Sequence, residues 1–321
     1  MKKRIYLAAL AALALASCTE KNVDQTVKGE MVELEVKVPI LETKLVGTPP
    51  HESTITSLQV FVFDKASGEL EAYKESINNL KLLCFAGEKE IVAIVNAPSL
   101  SDVTSLSDLQ SRKSSFTDNT QLKLVMSGSV TKQLTAEDNQ VTIDVTRLAA
   151  RVNLTEVKNA MELEANRSKD FVINGAYLIN VAGDRSYLTY SEPEIWYNKM
   201  RNEEGASYMI SSSTKLLLKY DTTNPLNYYY YCYPNPTATD ANDGTWSPRK
   251  TRLVLEAALD GEVCYYPVTL SEVEQNTVYN ISMVITRRGS ASPDIPVTTD
   301  EATVTVNVLP WQEGAVYDET I

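Results

Sequence analysis

Few residues in this chain of 321 could do chemistry. One histidine, His51, leaves few routes to a Ser-His-Asp triad, a Cys-His pair or a zinc site, since each needs an imidazole beside a second group. His51 follows Pro49-Pro50 and reads as an exposed loop residue. No G-x-S-x-G, G-x-G-x-x-G, P-loop or H-E-x-x-H spacing occurs. The many carboxylates leave a glycosidase pair open, but no pair stands apart from a solvated acidic surface. Asp240-Ala241-Asn242-Asp243-Gly244 is one residue short of calcium-loop spacing and lacks the closing Glu, so it reads as a polar turn. The tyrosines of Tyr228–Tyr233 could stack on sugars, but alternation sends their rings to both faces of a strand, and packing is the stronger reading. No enzyme, cofactor or metal is expected.

One cysteine does carry chemistry. Lys2, Lys3 and Arg4 precede an apolar run from Ile5 to Ala16, and Leu15-Ala16-Ser17-Cys18 closes it as a bacterial lipoprotein box. Cleavage after residue 17 makes Cys18 the first mature residue, acylated on its thiol and amine. Several acyl chains hold a protein firmly on a membrane. Loss of residues 1–17 takes three positive charges and moves the net charge from −12 to −15. Nucleic acid is then no partner, because phosphate binding needs a basic patch. Of the remaining cysteines, Cys232 and Cys264 sit in strand-like segments, where they either pair or stay as buried thiols. With Cys84 the count is odd, which favours the thiols.

The elements that would carry function are strands. In Val32–Ile40 (V-E-L-E-V-K-V-P-I), Val32, Leu34, Val36, Val38 and Ile40 share one face and Glu33, Glu35 and Lys37 the other. Burying five such side chains is worth about 8–15 kcal/mol at most, comparable to the net stability of a domain, so removal of this strand demands a replacement. A turn-rich stretch with the basic residue Lys44, then Leu45 and Pro49-Pro50, follows it, the kind of connection where proteolysis concentrates. Near the end, Thr303–Leu309 alternates again, with Val304, Val306 and Val308 on one face, and Pro310-Trp311 follows.

Between them, short strands recur with turn residues separating them, among them Thr56–Phe63, Leu80–Phe85, Glu90–Val95, Leu122–Ser127, Val141–Val145, a strand through Leu154, and seven more from Phe171 onwards. One interruption reads as helical: Val103, Leu106 and Leu109 at spacing three, with Ser101 or Ser105 as N-cap. Polar, helix-favouring Glu156–Asp170 marks a domain boundary. The expected class is all-β, with two β-sandwiches over residues 45–160 and 161–321, after a signal peptide over 1–17 and a segment over 18–44.

In order along the chain, the lipobox ending at Cys18, the alternating strand at Val32–Ile40, the basic turn, V-F-V-F, V-T-R-L-A-A-R-V and V-T-V-N-V-L-P-W together resemble the fimbrillins, the type V pilins of anaerobic Gram-negative bacteria. The resemblance implies tandem transthyretin-like (Greek-key) sandwiches, exported as an outer-membrane lipoprotein precursor and matured by a surface protease that removes the first strand. It implies a cut at Lys44-Leu45, although such proteins are usually cut after arginine and none stands between Cys18 and Arg112. The C-terminal strand of another subunit would then fill the vacated groove, building a fimbrium that serves adhesion and biofilm formation. The implied partners are other copies or related pilin subunits, the protease, the outer membrane, and host or bacterial surface receptors. Trp311 would plug the acceptor groove or wedge the local core. The other reading is a permanently lipid-anchored protein that binds glycan or another ligand through its tyrosines and loops.

Overall fold

The computed structural model describes residues 29–39, 52–77, 79–120, 122–201, 211–239, 246–295 and 302–311. Cys18, Ile40, Lys44, Leu45, His51 and the turn Asp240–Gly244 lie outside the described residues.

The N-terminal half holds β1 (Met31–Lys37), β2 (Leu58–Asp64), β3 (Leu70–Ser76), β4 (Leu80–Phe85), β5 (Gly87–Val95), β6 (Lys113–Ser115), β7 (Met126–Leu134), β8 (Gln140–Thr142) and β9 (Thr146–Arg147). Five of these form a sheet in the order β3-β2-β5-β7-β9, and a three-stranded sheet runs β4-β1-β8. The run L-Q-V-F-V-F of β2 is buried on both faces, which is why it reads as a continuous apolar stretch. Leu58, Val60 and Val62 turn toward β1 in one core, while Phe61 and Phe63 turn into a larger one. β5 divides likewise, with Ile91, Ala93 and Val95 on the β1 side and Val92 and Ile94 on the other.

After these come β10 (Ala150–Asn159), β11 (Phe171–Ile179), β12 (Val181–Ala182), β13 (Asp184–Ser186), β14 (Trp196–Tyr197), β15 (Ser211–Leu217), β16 (Thr222–Cys232), β17 (Arg252–Leu259), β18 (Glu262–Thr269), β19 (Thr277–Ile285) and β20 (Ala302–Pro310). Two four-stranded sheets, β16-β10-β19-β20 and β15-β11-β17-β18, enclose the larger core between them. The boundary expected after residue 160 follows β10, and β10 pairs with β16 and β19 of the later half. A bulge in β11 places Gly175 where an added Cβ would lie 2.4 Å from the Ser212 carbonyl oxygen, a distance that only glycine avoids. The helix α1 (Leu106–Ser111) starts at the cap Ser105, whose hydroxyl accepts from the Asp108 amide at 3.1 Å. The polar stretch after β10 makes only one helical turn, α2 (Glu164–Arg167).

The turn from β2 to β3 is closed by Asp64, whose Oδ1 accepts from the amides of Ala66 (3.1 Å) and Ser67 (2.9 Å). Its Oδ2 accepts from Nζ of buried Lys89 at 2.9 Å, and Lys89 also donates to Glu71 at 2.9 Å. The Lys89 bond, ahead of the turn amides, lowers the Asp64 pKa to about 2. A depressed carboxyl pKa adds stability that is present above the unfolded value and lost as pH falls through the folded one. Asp64→Asn should therefore destabilise the protein by about 1–3 kcal/mol at pH 7. Urea unfolding should show the gap to wild type narrowing between about pH 4 and pH 2.

Candidate functional site

The two alternating strands singled out by their sequence occupy opposite situations. β1 is the middle strand of its sheet. It pairs antiparallel with β4 from Met31↔Phe85 to Val36↔Leu80, and parallel with β8 at Glu35↔Gln140, Val36↔Val141 and Lys37↔Thr142. The Glu35 amide donates to Asn139 O and the Ile143 amide to Lys37 O, both at 2.9 Å, so both edges of the strand are bonded. Val32, Leu34, Val36 and Val38 retain 4, 0, 0 and 6% of their surface. Glu33 and Glu35 face outward, where Glu33 meets Lys81 at 2.8 Å. Cys84, opposite Val32, is buried in the same core, and burial pushes its thiol up to about 11. Without β1, strands β4 and β8 would stand about 9–10 Å apart, twice the interstrand spacing. That is room for one strand.

β20 lies at a sheet edge, paired antiparallel with β19 alone. Val304, Val306 and Val308 stand opposite Met283, Ile281 and Tyr279, which point into the larger core. The valines thus share the core side of the sheet, yet Val306 and Val308 are 39% and 55% exposed, because little packs over this edge. Leu309 on the other face is also exposed.

Beyond the valines the strand is anchored by one residue. Trp311 is buried, its amide donates to Asn276 O at 2.8 Å, and its ring stacks on Tyr231 with centroids 6.1 Å apart. The guanidinium carbons of Arg147 and Arg151 lie 4.7 and 5.3 Å from the indole centroid. Glu52 completes the cluster. Its carboxylate accepts from Arg151 Nη1 at 2.9 and 3.0 Å and from the Tyr231 hydroxyl at 2.6 Å, and its carbonyl accepts from Arg147 Nε at 3.1 Å. Burial raises the Glu52 pKa, and the Arg151 charge opposes that rise. The indole Nε1–H is enclosed and has no acceptor among the described residues, which costs about 1–3 kcal/mol. Trp311 thus packs within its own chain. Sequence gave no signal for Glu52, whose partners lie 99 and 179 residues away.

The remaining candidates are structural. Tyr230, Tyr231 and Tyr233 are buried and Tyr228 and Tyr229 pack partly against the core, so the tyrosine run is no open ligand platform. Cys232 and Cys264 are buried free thiols. Among the described residues no group of His, Cys, Asp or Glu is arranged to hold a metal, and no helix is long and apolar enough to cross a membrane.

Truncating Glu52 would leave Arg151 buried without its carboxylate. Glu52→Ala should cost about 3–5 kcal/mol in urea unfolding.

Comparison with known proteins finds one family model that matches part of the chain and several solved structures with a similar fold. Residues 39–175 match the model of the major fimbrial subunit protein (FimA) family. No curated protein matches the chain. Among solved structures, a candidate cell adhesion protein from Bacteroides eggerthii is 18% identical, with a TM-score of 0.65 over 89% of this chain and 97% of that one. A fimbrilin (FimA) from Porphyromonas gingivalis is 17% identical, with a TM-score of 0.61 over 89% and 99%. The tip fimbrial protein Mfa3 of the same organism, truncated at its C-terminus, is 13% identical, with a TM-score of 0.54 over 88% and 100%. The resemblance to the fimbrillins read from the sequence is thereby borne out: residues 39–175 carry the family's signature, on an all-β fold that a solved fimbrilin shares.

Proposed function

We propose that this protein is a structural fimbrial subunit, exported as an outer-membrane lipoprotein precursor acylated at Cys18 and polymerised at the cell surface by strand exchange. A protease cuts at Lys44-Leu45 and the segment bearing β1 leaves. The C-terminal strand of another copy or a related subunit then enters between β4 and β8. The fimbrium so built supports adhesion, through surface receptors, and biofilm formation.

The observation that carries this reading is the contrast in burial between the two strands. β1 fills its slot with four nearly inaccessible side chains, whereas β20 holds its valines half-exposed at an edge. Transfer of Val304, Val306 and Val308 into a vacated β1 slot, at the same two-residue spacing, would take apolar surface from water at about 25 cal/mol per Å². Backbone bonds to β4 and β8 would replace those lost to β19, and residue alternation would set the register. The unpaired Trp311 indole adds to the ease of release. A slot and a strand at opposite ends of the chain make a heterologous contact that does not close, and such contacts build filaments. The outward-facing tyrosines of the anchored ligand-binding reading find no counterpart here.

Two measurements test this. The double variant Val306→Asp, Val308→Asp should melt within about 1 °C to 4 °C of wild type as a monomer, because exposed substitutions change stability little, yet form no detergent-resistant multimers on an unboiled gel. Multimers formed by that variant as readily as by wild type would sink the exchange. Cys84 should resist alkylation in the precursor, become reactive once the N-terminal segment is cut away, and regain protection in the multimer, while Cys232 and Cys264 stay silent.

A further inference from the structure

Away from both strands, a cleft of about 410 Å³ opens between the segment after β13 and the loops flanking β16 and β19, within the size range of ligand sites. Arg185 lines it and is nine-tenths buried. Its Nε donates to Ser186 O at 3.0 Å, and its Nη1 to Leu148 O at 3.4 Å and to Gln275 Oε1. Nη2 makes no hydrogen bond among the described residues and is not among the enclosed orphan atoms, so its two N–H groups are left open for a ligand. No carboxylate pairs with Arg185 among the described residues. Three other buried arginines are treated differently: Arg151 has Glu52 at 2.9 Å, and Arg249 and Arg252 share Asp294 at 2.7 and 2.6 Å. A buried guanidinium whose partners are all neutral still has an anion's place beside it.

We propose that this cleft binds an acidic sugar, a pyranose ring bearing a single carboxylate. The carboxylate meets Nη2 of Arg185. Pro234, Pro236 and Tyr190 offer apolar faces to the C–H surface of the ring. Glu272 and Glu274, which also line the cleft, accept from its hydroxyls and repel ligands of higher negative charge, as does the net charge of −12. The walls are set before any ligand arrives. The Tyr279 hydroxyl donates to Glu272 O and accepts from the Glu274 amide, both at 2.9 Å. The Asn235 amide donates to Val273 O at 3.0 Å, and Ser191 Oγ accepts from the Ser186 amide at 2.9 Å. A preformed site spares the ordering cost of binding.

The reading needs neither strand to move, so its failure would leave strand exchange untouched. Calorimetric titration of the full chain with glucuronic acid, N-acetylneuraminic acid, glucose 6-sulfate and glucose tests it. One of the two carboxylate sugars should bind saturably, with affinity at least tenfold lower in Arg185→Gln and several-fold lower in Tyr190→Ala. Tyr190 is 62% exposed, so that second variant keeps the test open even where Arg185→Gln fails to fold. No binding by either acidic sugar, equal binding of glucose or the sulfate ester, or full affinity in a folded variant of both kinds would overturn the assignment.

Discussion

The two bonded edges of β1 are the constraint on which the N-terminal half depends. Its neighbours β4 and β8 come from later in the chain, and among the described residues no other strand joins them across that gap. A central strand supplies donors and acceptors to both sides, and its absence would leave two rows of unpaired backbone groups above an open core. An interior strand bonded on both sides is therefore essential to this sheet. Its tenancy can end only where another strand takes the same hydrogen bonds.

The other end of the chain is built on the opposite principle. β20 satisfies one edge, covers little of the core with its valines, and depends on Trp311 for a firm hold. That hold sits in a cluster with Arg147, Arg151 and Tyr231, which link the residue that anchors the last strand to Glu52, in the segment after the expected cleavage region. Glu52 and the last described strand are joined through this buried charged knot. Buried ion pairs contribute less to stability than their Coulomb attraction suggests, but losing one member is costly, and that makes the knot a gauge of whether the C-terminal strand is seated.

The all-β scaffold leaves other surfaces free for recognition. The Arg185 cleft is formed by β13, the segment after it and the loops next to β16 and β19, held by backbone pairs and by the Tyr279 hydroxyl. A filament of such subunits would repeat the cleft at regular intervals, which multiplies weak binding through avidity.

By itself the sequence determined the strand character of both end segments, a helix start capped by Ser101 or Ser105, and the V-F-V-F strand, because alternation, capping and apolar runs are local patterns. The order of those patterns also carried the family resemblance. It did not reveal β3, whose residues Leu70–Ser76 are mostly polar, since an edge strand needs no apolar face to be held by its neighbour. Nor did it assign β10, whose pattern states that two faces differ but not which sheet receives them. Only the tertiary structure decided that β1 is enclosed and β20 is not, that Glu52 meets Arg151 and Tyr231, and that Arg185 stands without a carboxylate. Each of these is a matter of which distant residues come together, and sequence spacing carries no record of that.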